Sequence, residues 1–348
     1  MKTLMSCNNS GFQAPGGGEI LLLKNREYLI KKGVKIKLFD QWKDKLTDYD
    51  LLHNFGLSNN CYDLITTAYN KKVPVAITPV YSWPSIRFAI RSGINFKHKL
   101  DLGVYALLHN TNYLNKLTYL SKMLRMSSKI LTDSNAEKNI LMRTYKLKES
   151  KFQVANYGVD KRFFYSNKKE FVRKYGMEDF LLYTGRIEPR KNVLTLIRIA
   201  SKLKFPLVIM SSKKFQGGDA YYKLCKKYAK NNIHFIDGVD HEDTMLSSAY
   251  AAAHAVVLPS WLENPGLTVL EGGLAGANVL VTSRGSSTEY FKNYAFYVNP
   301  FNNKDIENKL KLVYKKEKDD ELRMHIKKNF IWEVVTNNVL KAYKDMLK

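Results

Sequence analysis

Short apolar runs alternate along the chain with longer stretches whose apolar residues recur at helical spacing, and glycine-containing or polar turns separate the two kinds. In the first half the runs are Lys2–Met5, Lys35–Phe39, Leu51–Asn54, Val75–Thr78, Lys129–Thr132 and Phe152–Ala155. The second half repeats the rhythm with Phe180–Thr184, Leu207–Met210, His234–Ile236, Ala255–Leu258, Val279–Thr282 and Phe296–Val298. Strands that alternate with helices predict an α/β chain of parallel sheets covered by helices on both faces. At 348 residues the chain is too long for one ordinary core, so two domains are expected. We place them at 1–160 and 179–330, with the Lys- and Asn-rich segment 161–178 as a linker and a last helix over 331–348.

Chemistry concentrates in the second half. Between Pro259 and Ala277 the chain reads PSWLENPGLTVLEGGLAGA, which sets Glu263 and Glu271 eight positions apart across a strand-to-helix turn. Asn264, Pro265 and Gly266 break the apolar run, and a helical pattern begins at Leu267. The first turn of a helix presents backbone N–H donors and the positive end of its dipole, so a diphosphate or sugar hydroxyls suit Gly266, Leu267 and Thr268. Glu263 then meets the ligand from the loop, while Glu271, one turn into the helix, reaches a second group such as ribose hydroxyls. Two glutamates near a helix start are, taken alone, more often solvated or capping charges.

Upstream, Leu181 to Asn192 is an apolar strand that ends in Gly185 and runs on through Arg186 and Lys191. Gly185 permits close backbone approach, and Pro189 favours a turn that brings both cations to one anion. A guanidinium forks onto phosphate oxygens and an ammonium adds a point charge. Gly16, Gly17 and Gly18 open a helix read as Ile20 to Lys32, a weak phosphate-cradle signal that, taken alone, is more often a flexible loop. Ser134 and Glu137 have the spacing of a capping box.

These motifs together resemble the signature of retaining nucleotide-sugar glycosyltransferases, especially glycosyltransferase family four. The family's G-R-x-x-x-x-K-N is matched by Gly185, Arg186, Lys191 and Asn192, and its paired glutamates by Glu263 and Glu271. Where the family writes E-G-F-G, this chain has Glu263-Asn264-Pro265-Gly266, keeping the last glycine and losing the aromatic. Thr132 to Glu137, Asn156 to Asp160 and Ser283 to Tyr290 are similar to further family elements. The family's histidine after the fourth strand is missing from Ile77 to Pro84, leaving His53 and His109 as substitutes in this half.

The resemblance implies two Rossmann-like domains facing across a cleft, the GT-B architecture. It implies catalytic roles for Arg186, Lys191 and Glu263, and donor contacts from Gly16, Gly17, Gly18, Gly185, Gly238, Asn264, Gly266, Leu267, Thr268 and Glu271. The donor would be a nucleoside-diphosphate sugar, the acceptor a glycan or lipid-linked hydroxyl, and the last helix would cross back to the first domain. No cofactor and no metal are expected, since by the resemblance the cations would serve the departing diphosphate.

The net charge of +24 adds a question of partners. Between Ile86 and Lys148, twelve Lys and Arg stand against three acids, and in Tyr113 to Arg125 they interleave with apolar residues. Such a helix suits an anionic membrane surface; it equally suits a solvated helix with a core-facing side, or a general lysine bias. No zinc-finger spacing or RNA-binding aromatic signature is present, so nucleic acid is not expected. Three scattered cysteines and no spanning apolar run point to a cytoplasmic, or membrane-peripheral, protein. A nucleotide-sugar epimerase of the same architecture and a catalytically silent binding protein are the competing readings.

Overall fold

The computed structural model describes residues 1–8, 11–13, 16–80, 96–110, 118–211, 219–237 and 239–348. Its contacts divide the chain into two units. The first comprises Met1–Ser85, Val104–Gly158 and Trp332–Lys348, and the second Ile86–Gly103 and Val159–Ile331, each taken over its described residues.

In the first unit, strands β1 (Lys2–Ser6), β2 (Lys35–Leu38), β3 (Leu51–Phe55), β4 (Val75–Thr78), β5 (Lys129–Thr132) and β6 (Phe152–Val154) form one parallel sheet, in the order β2-β1-β3-β4-β5-β6. Every residue of β3 and β4 is buried, as strands covered on both faces require. The helix after β1 spans Gly17–Lys31, starting three residues before the apolar pattern does, because Glu19 folds back and accepts from the Gly16 N–H at 2.8 Å. The predicted capping box is half formed. Ser134 Oγ accepts from Glu137 N at 3.1 Å, and the Glu137 carboxylate accepts from Asp133 N at 2.8 Å.

The Trp332–Met346 helix packs in this same unit. Lys32 Nζ donates to Glu333 O at 3.0 Å and to Asn337 Oδ1 at 2.7 Å, and Tyr343 is fully buried. Of the basic stretch Tyr113 to Arg125, the described part is the helix Tyr119–Met126. Its Met123 and Leu124 are wholly buried and Arg125 donates to Tyr145 O, so its apolar side is ordinary core. No helix of the described residues is long and apolar enough to cross a membrane.

The second unit holds β7 (Leu181–Thr184), β8 (Leu207–Ser211), β9 (Ile233–Asp237), β10 (Ala255–Leu258), β11 (Asn278–Thr282) and β12 (Phe296–Val298), all parallel, in the order β12-β11-β10-β7-β8-β9. The stretch expected as a linker is folded into this unit. It carries the helix Lys169–Tyr175, and Phe163 and Phe171 are wholly buried, with Phe171 N donating to Ser248 Oγ at 2.9 Å. Its charged composition conceals two aromatic anchors.

The strand order reverses between β7 and β10, which pair with Ala255 opposite Leu181 and Val256 opposite Leu182. In open parallel sheets ligands bind outside the carboxyl ends of strands at such a reversal, because the loops there diverge and leave a crevice. The loops that leave β7 and β10 are those carrying Gly185 to Asn192 and Pro259 to Gly266.

Candidate functional site

After β7, Gly185 (φ 128°) turns the chain and Pro189–Lys191 form a single tight helical turn. Contacts with the loop after β10 lock this turn: Trp261 N donates to Arg190 O and Trp261 Nε1 to Pro189 O, both at 3.1 Å, and Asn192 Nδ2 donates to Pro259 O at 3.1 Å. Two segments about seventy residues apart thereby present their charged side chains together.

Lys191 Nζ reaches Glu263 Oε1 at 2.7 Å. Arg190 Nη1 stands 3.8 Å from the same oxygen, its Nε 3.2 Å from Glu188 Oε1, and Arg186 Nε 3.7 Å from Glu188 Oε2. The result is a line of alternating charge, Arg186, Glu188, Arg190, Glu263 and Lys191. Sequence reasoning brought Arg186 and Lys191 to one anion and passed over Glu188 and Arg190, although both lie inside the matched motif.

Glu263 and Glu271 are each only 4% exposed. Burial opposes the charge on Glu263, but Lys191 and Arg190 outweigh it and hold the carboxyl below its ordinary value. Burial draws the Lys191 ammonium down from its usual value, with Glu263 pulling the other way. The backbone fixes the carboxylate as firmly as the ion pair does: Glu263 N donates to Arg284 O at 3.2 Å and Ser286 N to Glu263 O at 3.0 Å. Gly285 between them has φ 101°, and a Cβ there would stand 1.9 Å from Glu263 O, so only glycine fits.

Gly266, at φ 93°, starts the Leu267–Leu274 helix, and a Cβ on it would lie 2.8 Å from Leu258 and 3.6 Å from Glu263 Oε2. Glu263 therefore lies over the helix start, where half-buried Leu267 and Thr268 form the first turn. Asn264 turns its Oδ1 towards Gly285, 3.0 Å from the position of a Cβ there.

Glu271 is held at both oxygens. His241 Nε2 lies 2.7 Å from Oε1, and Tyr250 OH donates to Oε2 at 2.7 Å while sharing a 2.8 Å bond with Thr184 Oγ1 at the end of β7. Sequence reasoning missed His241 and Tyr250. A histidine in a polar loop and a tyrosine inside a helix carry no spacing signal of their own.

Gly16, Gly17 and Gly18 belong to the first unit, where Gly17 leaves open space at the start of its helix and a Cβ on Gly18 would lie 3.9 Å from Val80. Gly238 lies outside the described residues. Of the substitute histidines, His53 is fully buried with Nδ1 2.6 Å from Tyr343 OH and Nε2 2.8 Å from Thr78 Oγ1. Burial pushes its pKa down to about 3, so it is a neutral structural group rather than one that faces a ligand. His109 falls in the helix Phe96–Asn110, and its side chain is outside the described set.

Comparison with known proteins agrees with this geometry. Residues 165–331 match the family model described as glycosyl transferases group 1. The chain is 26% identical over 189 residues to O-antigen chain mannosyltransferase B of Escherichia coli, covering 50% of this chain and 48% of that protein. It is also 26% identical over 201 residues to O-antigen chain mannosyltransferase RfbU of Salmonella typhimurium, covering 56% and 54%. The chain thus spans about half the length of the curated relatives it matches. Among solved structures it is similar to sucrose-phosphate synthase from Thermosynechococcus elongatus, with a TM-score of 0.75 at 15% identity and 99% coverage of both chains. It is also similar to Anabaena HepE in complex with UDP-glucose, with a TM-score of 0.73 at 13% identity, covering 99% and 100%. Residues 165–331, which carry Arg186, Lys191, Glu263 and Glu271, thus match the glycosyl transferases group 1 model, and the chain is similar in fold to GT-B glycosyltransferase structures.

Proposed function

We propose that this protein transfers a sugar, with retention of anomeric configuration, from a nucleoside-diphosphate donor to a hydroxyl of a glycan or lipid-linked acceptor. The observation that carries the reading is the pair of half-buried Lys191 and buried Glu263, 2.7 Å apart in the loops that leave β7 and β10. The O-antigen mannosyltransferase relatives and the UDP-glucose complex of HepE support the acceptor and donor classes. Three unpaired cysteines fit a reducing compartment.

In this reading an ammonium with three donors gives one to Glu263 and keeps the others for the diphosphate, while the Arg186 guanidinium forks onto its oxygens. As the bond from the anomeric carbon to the diphosphate breaks, negative charge grows on the leaving oxygen. The two cations, already placed, stabilise it without reorganisation. Glu263, kept ionised, orients the sugar and faces the positive charge that develops at its anomeric carbon. The acceptor oxygen attacks from the face the diphosphate leaves and passes its proton to the departing phosphate oxygen. Glu271 takes the ribose hydroxyls. These cations would do the electrostatic work without a metal, so turnover should survive a strong chelator.

The test is incubation of the protein with a panel of nucleoside-diphosphate sugars, with and without membrane lipid extract, following both nucleoside diphosphate and sugar. Diphosphate release accelerated by lipid extract supports the reading. A changed sugar still attached to its nucleotide would replace transfer with epimerisation, and no turnover with any donor would leave only binding.

A further inference from the structure

We propose that His241 is a positioning residue for the donor site, holding Glu271 in place for the ribose and offsetting its charge beside the diphosphate. The inference rests on the donor reading above and goes beyond it to a residue outside the matched motifs.

The geometry is built from four separate segments of the second unit. His241 bridges Glu271 Oε1 at 2.7 Å and Glu242 Oε1, from its own loop, at 3.1 Å. From the turn Lys161–Tyr165, Arg162 donates to the His241 carbonyl and pairs with Glu242 Oε2 at 2.8 Å, and the Phe163 ring packs edge-on against the imidazole. From the helix Thr244–Ala252, Tyr250 holds the other Glu271 oxygen. A carboxylate accepts about four hydrogen bonds, so one to each oxygen fixes its plane and leaves acceptor capacity for two ribose hydroxyls.

The groups facing the imidazole are the carboxylates of Glu271 and Glu242 and the guanidinium of Arg162. Burial and Arg162 oppose a charge on His241, but the two carboxylates prevail and raise it to about 8. The cation is therefore present below that pH and lost above it. A neutral imidazole still donates to Glu271 but no longer offsets its charge, so an anionic nucleotide should bind less tightly as the pH rises. Linkage makes this reciprocal: nucleotide binding must raise the pH at which His241 titrates.

The experiment is calorimetric binding of UDP, GDP and ADP between pH 7 and 9, comparing wild type with His241→Gln and His241→Lys. The ligand's own titration is common to all three proteins. For whichever nucleotide binds, wild-type affinity should fall about tenfold across this range as one coupled proton is lost. His241→Gln should bind more weakly at pH 7 and show no such fall. His241→Lys, with a cation throughout, should keep its affinity to pH 9, and the histidine NMR signal of wild type should shift its midpoint upward with nucleotide. Parallel pH profiles in wild type and His241→Gln, or an unmoved midpoint, would overturn the role of His241 and leave the donor site standing. Absence of binding by every nucleotide would remove the donor site and this inference with it.

Discussion

One histidine of the first unit and two cationic groups of the second respond to burial in opposite ways. In the first, His53 sits between the hydroxyls of Tyr343 and Thr78 with no counter-charge, and burial keeps it neutral. In the second, Lys191 meets Glu263 and His241 meets Glu271, each pair spanning separate loops or a loop and a helix. A lone buried group discards its charge, whereas a paired one keeps it at the expense of desolvation. Such pairs add little stability compared with apolar packing. Their retention at the β7/β10 reversal is understandable if preorganised charge is what the site supplies.

Breaking the Lys191–Glu263 pair should have the largest effect. Lys191→Ala removes one preorganised donor and leaves Glu263 buried without its main partner, so kcat/KM should fall at least a hundredfold, roughly 3 kcal/mol in the transition state. Steady-state kinetics on folded protein checks this, and near-wild-type turnover would end the role of Lys191.

Gly285→Ala attacks the backbone that holds Glu263 instead of its charge. With a Cβ forced to 1.9 Å from a carbonyl oxygen, the Glu263 loop must move, and thermal unfolding should show a loss of roughly 2–4 kcal/mol together with weakened activity. An unshifted midpoint would mean that the two loops are not locked together as described.

Tyr250→Phe sharpens the comparison, because it removes one neutral partner from Glu271 and leaves the His241 bond intact. Nucleotide affinity should fall about tenfold, from the roughly 1.5 kcal/mol of a lost hydrogen bond to a charged group. Unchanged affinity would separate Glu271 from nucleotide binding.

A separate prediction concerns stability at the neutral histidine. The unfolded chain protonates His53 near the ordinary value of 6.5 and the folded chain only near 3, so its contribution is complete above pH 6.5 and lost as the pH falls towards 3. In that window wild-type stability should fall more steeply than that of His53→Gln, by about 1 kcal/mol per pH unit. Equal slopes in denaturant titrations would show that His53 is not held neutral.

Much of this organisation is written in local patterns. All twelve strands of the described residues appear where short runs of three to five residues stand between turn residues, and those buried on both faces, such as β4, β8 and β10, are nearly continuous in apolar side chains. Gly185, Gly266 and Gly285 fall where the backbone takes positive φ. What spacing could not carry is who meets whom. The separation of 72 positions between Lys191 and Glu263 gives no sign that the two touch, and the motif suggested only that Lys191 shares an anion with Arg186. Lys- and Asn-rich composition over 161–178 hid the burial of Phe163 and Phe171, which fold a supposed linker into a domain. His53 stood out for its place at a strand end, yet what decides its state is Tyr343, supplied 290 residues later.

The most direct measurement is an affinity ladder in which a nucleoside, its monophosphate and its diphosphate are titrated calorimetrically into wild type and Lys191→Ala. If buried, paired charge at the ends of β7 and β10 receives the leaving diphosphate, affinity should climb steeply at the diphosphate step in wild type and lose that step in the variant. A ladder of equal steepness in both proteins would contradict it.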